Sequence, residues 1–163
     1  MNDTARAWVY GDDINTDLLA PAAYLKGSME ELASHCLEDL DKDFAASVAE
    51  GDVFVAGENL GIGSSREQAP QALQILGIRM VLAKSFGRIF YRNALNLGMP
   101  ILVCADTHRI HKGDQLRVDA AAGVVQNLTT GETLGCESLP DHLIEMVGDG
   151  GLIPHLKKTL KGL

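Results

Sequence analysis

The chain has 163 residues, 46% hydrophobic and 22% charged, a globular composition sized for one domain (residues 1–163) with a substantial core. Its formal charge of −8 is offset by no Lys/Arg-rich run, which argues against a nucleic-acid partner and leaves any anionic ligand to local donors. No stretch approaches the roughly 18 apolar residues of a membrane span, the N-terminal MNDTARAWVYGDD lacks an apolar signal core, and Cys36, Cys104 and Cys136 are scattered without a C-x-x-C, so a reducing, cytoplasmic protein with no in-chain metal site is expected.

Residues 6–10 form a first apolar run, closed by Gly11-Asp12-Asp13. Asn15-Thr16-Asp17 and Pro21 then predict a loop. Residues 28–40 carry apolar side chains at helical spacing, with Ser28 as cap and Glu31 three positions on. A further helical turn is expected at 44–48. Residues 53–56 read as a short buried strand, 65–76 as a helix closed by Gly77, 78–83 as a strand, 88–97 as a helix closed by Gly98, and 100–105 as a strand. Strand and helix alternating with short links predict an α/β fold, a short parallel sheet with flanking helices. After Asp106 the pattern changes. Residues 115–118 and 124–128 are short and β-rich, with turns ending at Gly123 and at Thr130-Gly131-Glu132, and predict an added antiparallel β layer. Two terminal helices follow, at 141–147 and 152–160.

GENLGIGSSREQAP (residues 57–70) holds the densest chemistry. It is not a P-loop, since no Gly-Lys-Ser/Thr occurs in the chain, nor a dinucleotide fingerprint, since Arg66 stands where the third glycine belongs. Neither serine sits in G-x-S-x-G. A strand, a glycine-rich loop and a helix start remain. One reading is a plain capping box, Ser64 with Glu67. The other uses the same geometry as an anion site, with helix amides and Arg66 as donors and a serine placed to act as base. Residue types alone leave both open.

Asp13-Ile14-Asn15-Thr16-Asp17 begins like a calcium loop, but Leu18 and Tyr24 occupy the positions that require glycine and glutamate. His108 and His111 are three apart without clear helical context. Arg88 and Arg92 are four apart on one predicted helix, either facing a ligand or partner or forming a solvated face.

GENLGIGSSREQAP, followed by AKSFGRIFYRNALNLGMP (83–100) and preceded by GDDINTDLLAPAAYLKG (11–27), resembles the small subunits of 3-isopropylmalate dehydratase, a branch of the aconitase superfamily. The resemblance is close over residues 8–105. It implies a swivelling β/β/α domain in a heteromeric hydro-lyase that isomerises 2-isopropylmalate to 3-isopropylmalate by dehydration and rehydration, in leucine biosynthesis. It further implies a [4Fe-4S] cluster bound by a large-subunit partner and not by this chain, and a di- or tricarboxylate substrate. Under the resemblance Ser64 is the base, Arg66 grips a substrate carboxylate, Ser65 helps hold the anion, and Asp17 lines the site. Tyr24 and Lys26 lie in the loop that reads the substrate's variable group. The family's usual pattern has Phe, Cys and His where this chain has Leu60, Ile62 and Gln68, and Ala where it has Gly87. None of these changes removes a proposed catalytic group. Lys26 suits either a distal carboxylate, as in homoaconitase-type or alkyl-malate dehydratases, or an isopropyl group with the lysine stem lying along apolar surface. A stand-alone carboxylate-binding module is the alternative from another class, and a homo-oligomer is compatible with the chain when alone.

Overall fold

The structure, a computed structural model, describes residues 4–162. Four short strands run parallel: β1 (Ala5–Val9), β2 (Val53–Val55), β3 (Met80–Ala83) and β4 (Ile101–Val103). Every residue of β2 and β3 is buried. Strands covered on both faces read as unbroken apolar runs instead of alternating ones, and these do. Three further strands, β5 (Gln115–Asp119), β6 (Val124–Asn127) and β7 (Thr133–Gly135), make successive antiparallel hairpins. Antiparallel pairing of Ala5 with Leu116 and Arg6 with Gln115 joins them to β1. The expected parallel sheet and antiparallel addition are therefore one mixed, curled sheet of order β4-β3-β2-β1-β5-β6-β7.

The segment before Pro21, expected as a loop, contains the short helix α1 (Thr16–Leu19), whose first turn is held by Leu18 N–H donating to Asn15 Oδ1 at 2.9 Å. α2 (Met29–Ser34) starts on the predicted Ser28 cap but ends six residues before the expected stop. Leu37 explains the difference. It is fully buried with φ +65, and its N–H donates to Leu18 O at 2.8 Å. Placing that side chain in the core outweighs helical continuation. α3 (Phe44–Ser47) presents Phe44 to Trp8, Tyr10 and Phe54. α4 (Gln68–Ile75), α5 (Arg88–Asn96), α6 (Asp141–Gly148) and α7 (Leu152–Lys161) complete the molecule.

The loops leaving β1, β2 and β3 gather at the carboxyl end of the parallel strands, where ligands bind in open α/β sheets. Backbone hydrogen bonds join them: Asp13 N to Glu58 O (2.8 Å), Gly61 N to Ile14 O (2.7 Å), Thr16 N to Ile62 O (2.9 Å) and Gly87 N to Leu60 O (2.8 Å). A bridge pairs Leu60 with Phe86. Three segments distant in sequence thus form one surface.

Candidate active site

Glycine decides how closely these loops approach. Gly61 has φ +82, and a Cβ there would collide with the Phe90 ring. A Cβ on Gly87 would stand 2.8 Å from Gly61 O. With both positions bare, residues Gly61 to Ser64 lie against the N-terminus of α5. Between them opens a depression of about 290 Å³ lined by Gly61, Ile62, Gly63, Ser64, Gly87, Arg88 and Ile89.

Ser64 is exposed, and its Oγ lies 3.2 Å from Thr16 Oγ1, a hydroxyl that is otherwise buried. Arg66 is mostly covered. Its Nη1 donates to Asp17 Oδ1 at 2.8 Å and to Ala20 O at 3.1 Å, while Nη2 and Nε have no partner among the described residues. The Arg66 hydrogen bond holds the Asp17 carboxyl below the usual carboxylate range, with a smaller contribution from Ala22 N–H. Asp17 therefore touches Arg66 and orients its guanidinium. Ser65 is exposed, and no acceptor among the described residues takes the N–H groups of Ser64, Ser65 and Arg66.

The capping box does not form. α4 begins at Gln68, with Glu67 in the cap position and no side-chain cap. Pro70 is the cause. Proline is tolerated only in a helix's first turn, because further in it loses a hydrogen bond and strikes the carbonyl four residues back. A helix starting at Ser65 would place Pro70 too deep. Ser64, Ser65 and Arg66 consequently belong to the loop, and the donors they present are loop amides.

Tyr24 ends a 3-10 turn (Ala22–Tyr24) that begins where Ala22 N–H donates to Asp17 Oδ1 at 3.3 Å. Its ring stacks on His35 with centroids 3.6 Å apart, and Glu38 Oε2 holds His35 Nδ1 at 2.6 Å. Lys26 is exposed and has no partner among the described residues. The structure thus joins Ser64, Arg66 and Asp17 directly, links the Tyr24 turn to them through Asp17, and leaves Ser65 and Lys26 facing outward.

Thr16 and Arg88 were not singled out for this site from sequence. Thr16 was hidden in an expected loop, although N-T-D before an apolar run is itself a capping signal. Arg88 sits at the first position of α5 and lines the Ser64 depression; with Arg92 it also lines a groove toward Leu143 and Met146. Of the calcium-like residues, Asp13 accepts from Asn59 Nδ2 at 2.9 Å and Asn15 caps α1. His108 and His111 border a separate crevice with Asp12 and Lys84. Among the described residues, no helix is long and apolar enough to cross a membrane.

Cluster-binding chemistry requires convergent thiolates. Here Cys36 is buried in the core, while Cys104 and Cys136 sit together beyond β4, and none lies among the residues around Ser64. Among the described residues, the one convergent group of three potential ligands is Glu145, Asp149 and His155. It has no thiol, and Lys158 Nζ and His155 Nδ1 already occupy Asp149 at 3.1 and 2.8 Å.

Known proteins are similar to this chain in sequence and in fold. A family model, the aconitase C-terminal domain, matches residues 24–106. The 3-isopropylmalate dehydratase small subunit 2 of Archaeoglobus fulgidus is 48% identical over 97% of this chain and 96% of its own length. The 3-isopropylmalate dehydratase small subunit of Methanosarcina mazei is 50% identical over 95% of this chain and 96% of its own. The crystal structure of a 3-isopropylmalate dehydratase from Methanocaldococcus jannaschii superimposes with a TM-score of 0.91 at 43% identity, covering 96% of this chain and 94% of that one. The chain therefore belongs to the 3-isopropylmalate dehydratase small-subunit family, with an aconitase C-terminal domain over residues 24–106.

Proposed function

We propose that this chain is the small subunit of a heteromeric hydro-lyase that interconverts 2- and 3-isopropylmalate, and that Ser64 is its base. The observation that carries the reading is the contact of Ser64 Oγ with Thr16 Oγ1 at 3.2 Å beside an Arg66 already oriented by Asp17. A serine is a useful base only if its alkoxide is stabilised. The Thr16 hydroxyl can donate to it, and the N–H groups of Ser64, Ser65 and Arg66 add positive potential.

Arg66 holds one substrate carboxylate through its free N–H groups, in the bidentate manner that suits a planar fork. Arg88 contributes a second cation across the depression. In dehydration Ser64 Oγ takes the proton from the carbon adjacent to the hydroxyl-bearing one; in rehydration it returns a proton to the neighbouring position. Cys104 and Cys136 are only two thiols and do not line the Ser64 depression, so the [4Fe-4S] cluster is assigned to the large subunit, where it would supply Lewis-acid activation of the hydroxyl and a carboxylate. The unpaired ammonium of Lys26 favours a second substrate, a homoaconitate-like tricarboxylate whose distal carboxylate it would pair.

The test is co-expression with a cluster-bearing large subunit and assay on 2-isopropylmalate and homocitrate. Turnover of isopropylmalate that is lost on Ser64→Ala in an intact complex is the expected result. Near-full rate in that variant would overturn the base assignment.

A further inference from the structure

The curl of the sheet brings its two edges together. From β4 to β1 the strands run parallel, and three antiparallel pairings then follow through β5, β6 and β7, so β7 runs opposite to β4. The chain leaving β7 then meets the chain leaving β4, where Glu137 N–H donates to Val103 O at 2.8 Å. That bond brings the neighbouring residue of each segment, Cys104 and Cys136, side by side, with their thiols in hydrogen-bond contact. A disulfide needs Cα atoms within roughly 4.4–6.8 Å, the range of neighbouring chain segments. Cys104 Sγ lies 3.6 Å from Gly135 O, so it is turned toward the β7 side. Cys104 is buried and Cys136 is partly exposed.

We propose that Cys104 and Cys136 form an oxidation site, a dithiol that a hydroperoxide converts to an intramolecular disulfide sealing the two edges of the sheet. The hydroperoxide meets Cys136 first, because it is the accessible thiol. Its thiolate attacks the peroxide oxygen, the O–O bond breaks, and Cys136 becomes a sulfenic acid as the leaving hydroxide takes up a proton. Cys104 Sγ then attacks Cys136 Sγ, the S–O bond breaks, and a second water leaves. Two thiols and one hydrogen peroxide give one disulfide and two waters. The hydrogen bond between the thiols lowers the pKa of Cys104 and pushes that of Cys136 up, so the pair's proton rests on Cys136, and Cys136 attacks as that proton passes across the hydrogen bond to Cys104. Cys36 is the built-in comparison, because burial alone pushes its thiol up to about 12 and keeps it protonated.

The experiment uses the full chain, reduced and then exposed to hydrogen peroxide, with remaining thiols alkylated before non-reducing tryptic digestion and mass spectrometry. The expected product joins peptides 93–109 and 118–157 and is lighter by two hydrogens, while Cys36 stays alkylatable. Cys136→Ser and Cys104→Ser should each abolish the linked peptide, and Cys36→Ser should keep it. The oxidised wild type should melt roughly 5–10 °C higher than the reduced form, the increment of a well-seated disulfide in a chain of this size. Linkage through Cys36, chain-to-chain disulfides, or Cys104 and Cys136 both remaining alkylatable while Cys36 oxidises would overturn the proposal. The outcome does not depend on the proposed dehydratase reading, since it needs neither partner nor substrate.

Discussion

Ser64 carries the largest chemical demand of any residue in the site. Its Oγ is exposed and makes one side-chain contact, to Thr16. Ser64→Ala should therefore leave the isolated chain's stability within about 0.5 kcal/mol, while lowering kcat of the assembled enzyme by about 10²–10⁴-fold, the range for losing a general base. Steady-state kinetics with a thermal melt separates the two effects. Asp17 gives a pH test. An unfolded Asp titrates near about 3.9, and the Arg66 hydrogen bond lowers the folded value. The pair's contribution is thus present above the unfolded value and is lost as pH falls through the lower folded one. Arg66→Gln should move Asp17 back up toward the ordinary carboxylate range, which a carboxyl-carbon NMR titration reads directly; an unmoved Asp17 would mean that Arg66 does not hold it. Lys26 bears on substrate choice. Lys26→Val should shift kcat/KM toward apolar side groups and away from homocitrate, and an unchanged ratio would remove this loop from the specificity argument.

At the level of elements, glycine clearance positions the site. Gly61 and Gly131 both have positive φ, +82 and +81, but a Cβ at Gly131 meets nothing whereas one at Gly61 meets the Phe90 ring. Gly61→Ala should cost about 2–4 kcal/mol, backbone strain plus overpacking, and Gly131→Ala only about 1–2 kcal/mol. Urea unfolding of the two variants measures the difference, and equal losses would show that the Phe90 contact is unimportant. The strands were legible in sequence because buried parallel strands are plain apolar runs, as in residues 53–55 and 80–83. Glycine-closed helices were legible for the same kind of reason. Two helix boundaries were not. Pro70 sets the start of α4, and sequence reading weighed Ser64 and Glu67 above it. The end of α2 depends on Leu37 reaching a core built by residues far along the chain, which local spacing does not encode. Arg66 was legible as a ligand for an anion, but its partner Asp17 lies 49 residues away, and only the joined loops bring them together.

Across the whole molecule, the formal charge of −8 opposes the approach of a malate-type dianion. That field is screened beyond roughly 8 Å at physiological ionic strength, so short-range donors must do the holding. On this chain those are Arg88 and the loop amides, on an open depression that a ligand would occupy with one side in water, with Arg66 and Lys26 on the adjoining loops. Charge-assisted hydrogen bonds in such a setting compete with water and yield little net affinity. A large subunit closing over the depression would expel that water, and the same donors would then act in a lower dielectric. The isolated chain is therefore expected to bind 2-isopropylmalate no tighter than about 1 mM, or roughly −4 kcal/mol. Its complex with a large subunit should bind it at least tenfold more tightly. Titration calorimetry on both forms decides the matter. Micromolar binding by the chain alone would instead favour a stand-alone carboxylate-binding module, because a site that needs a partner to exclude water has no means of reaching that affinity without one.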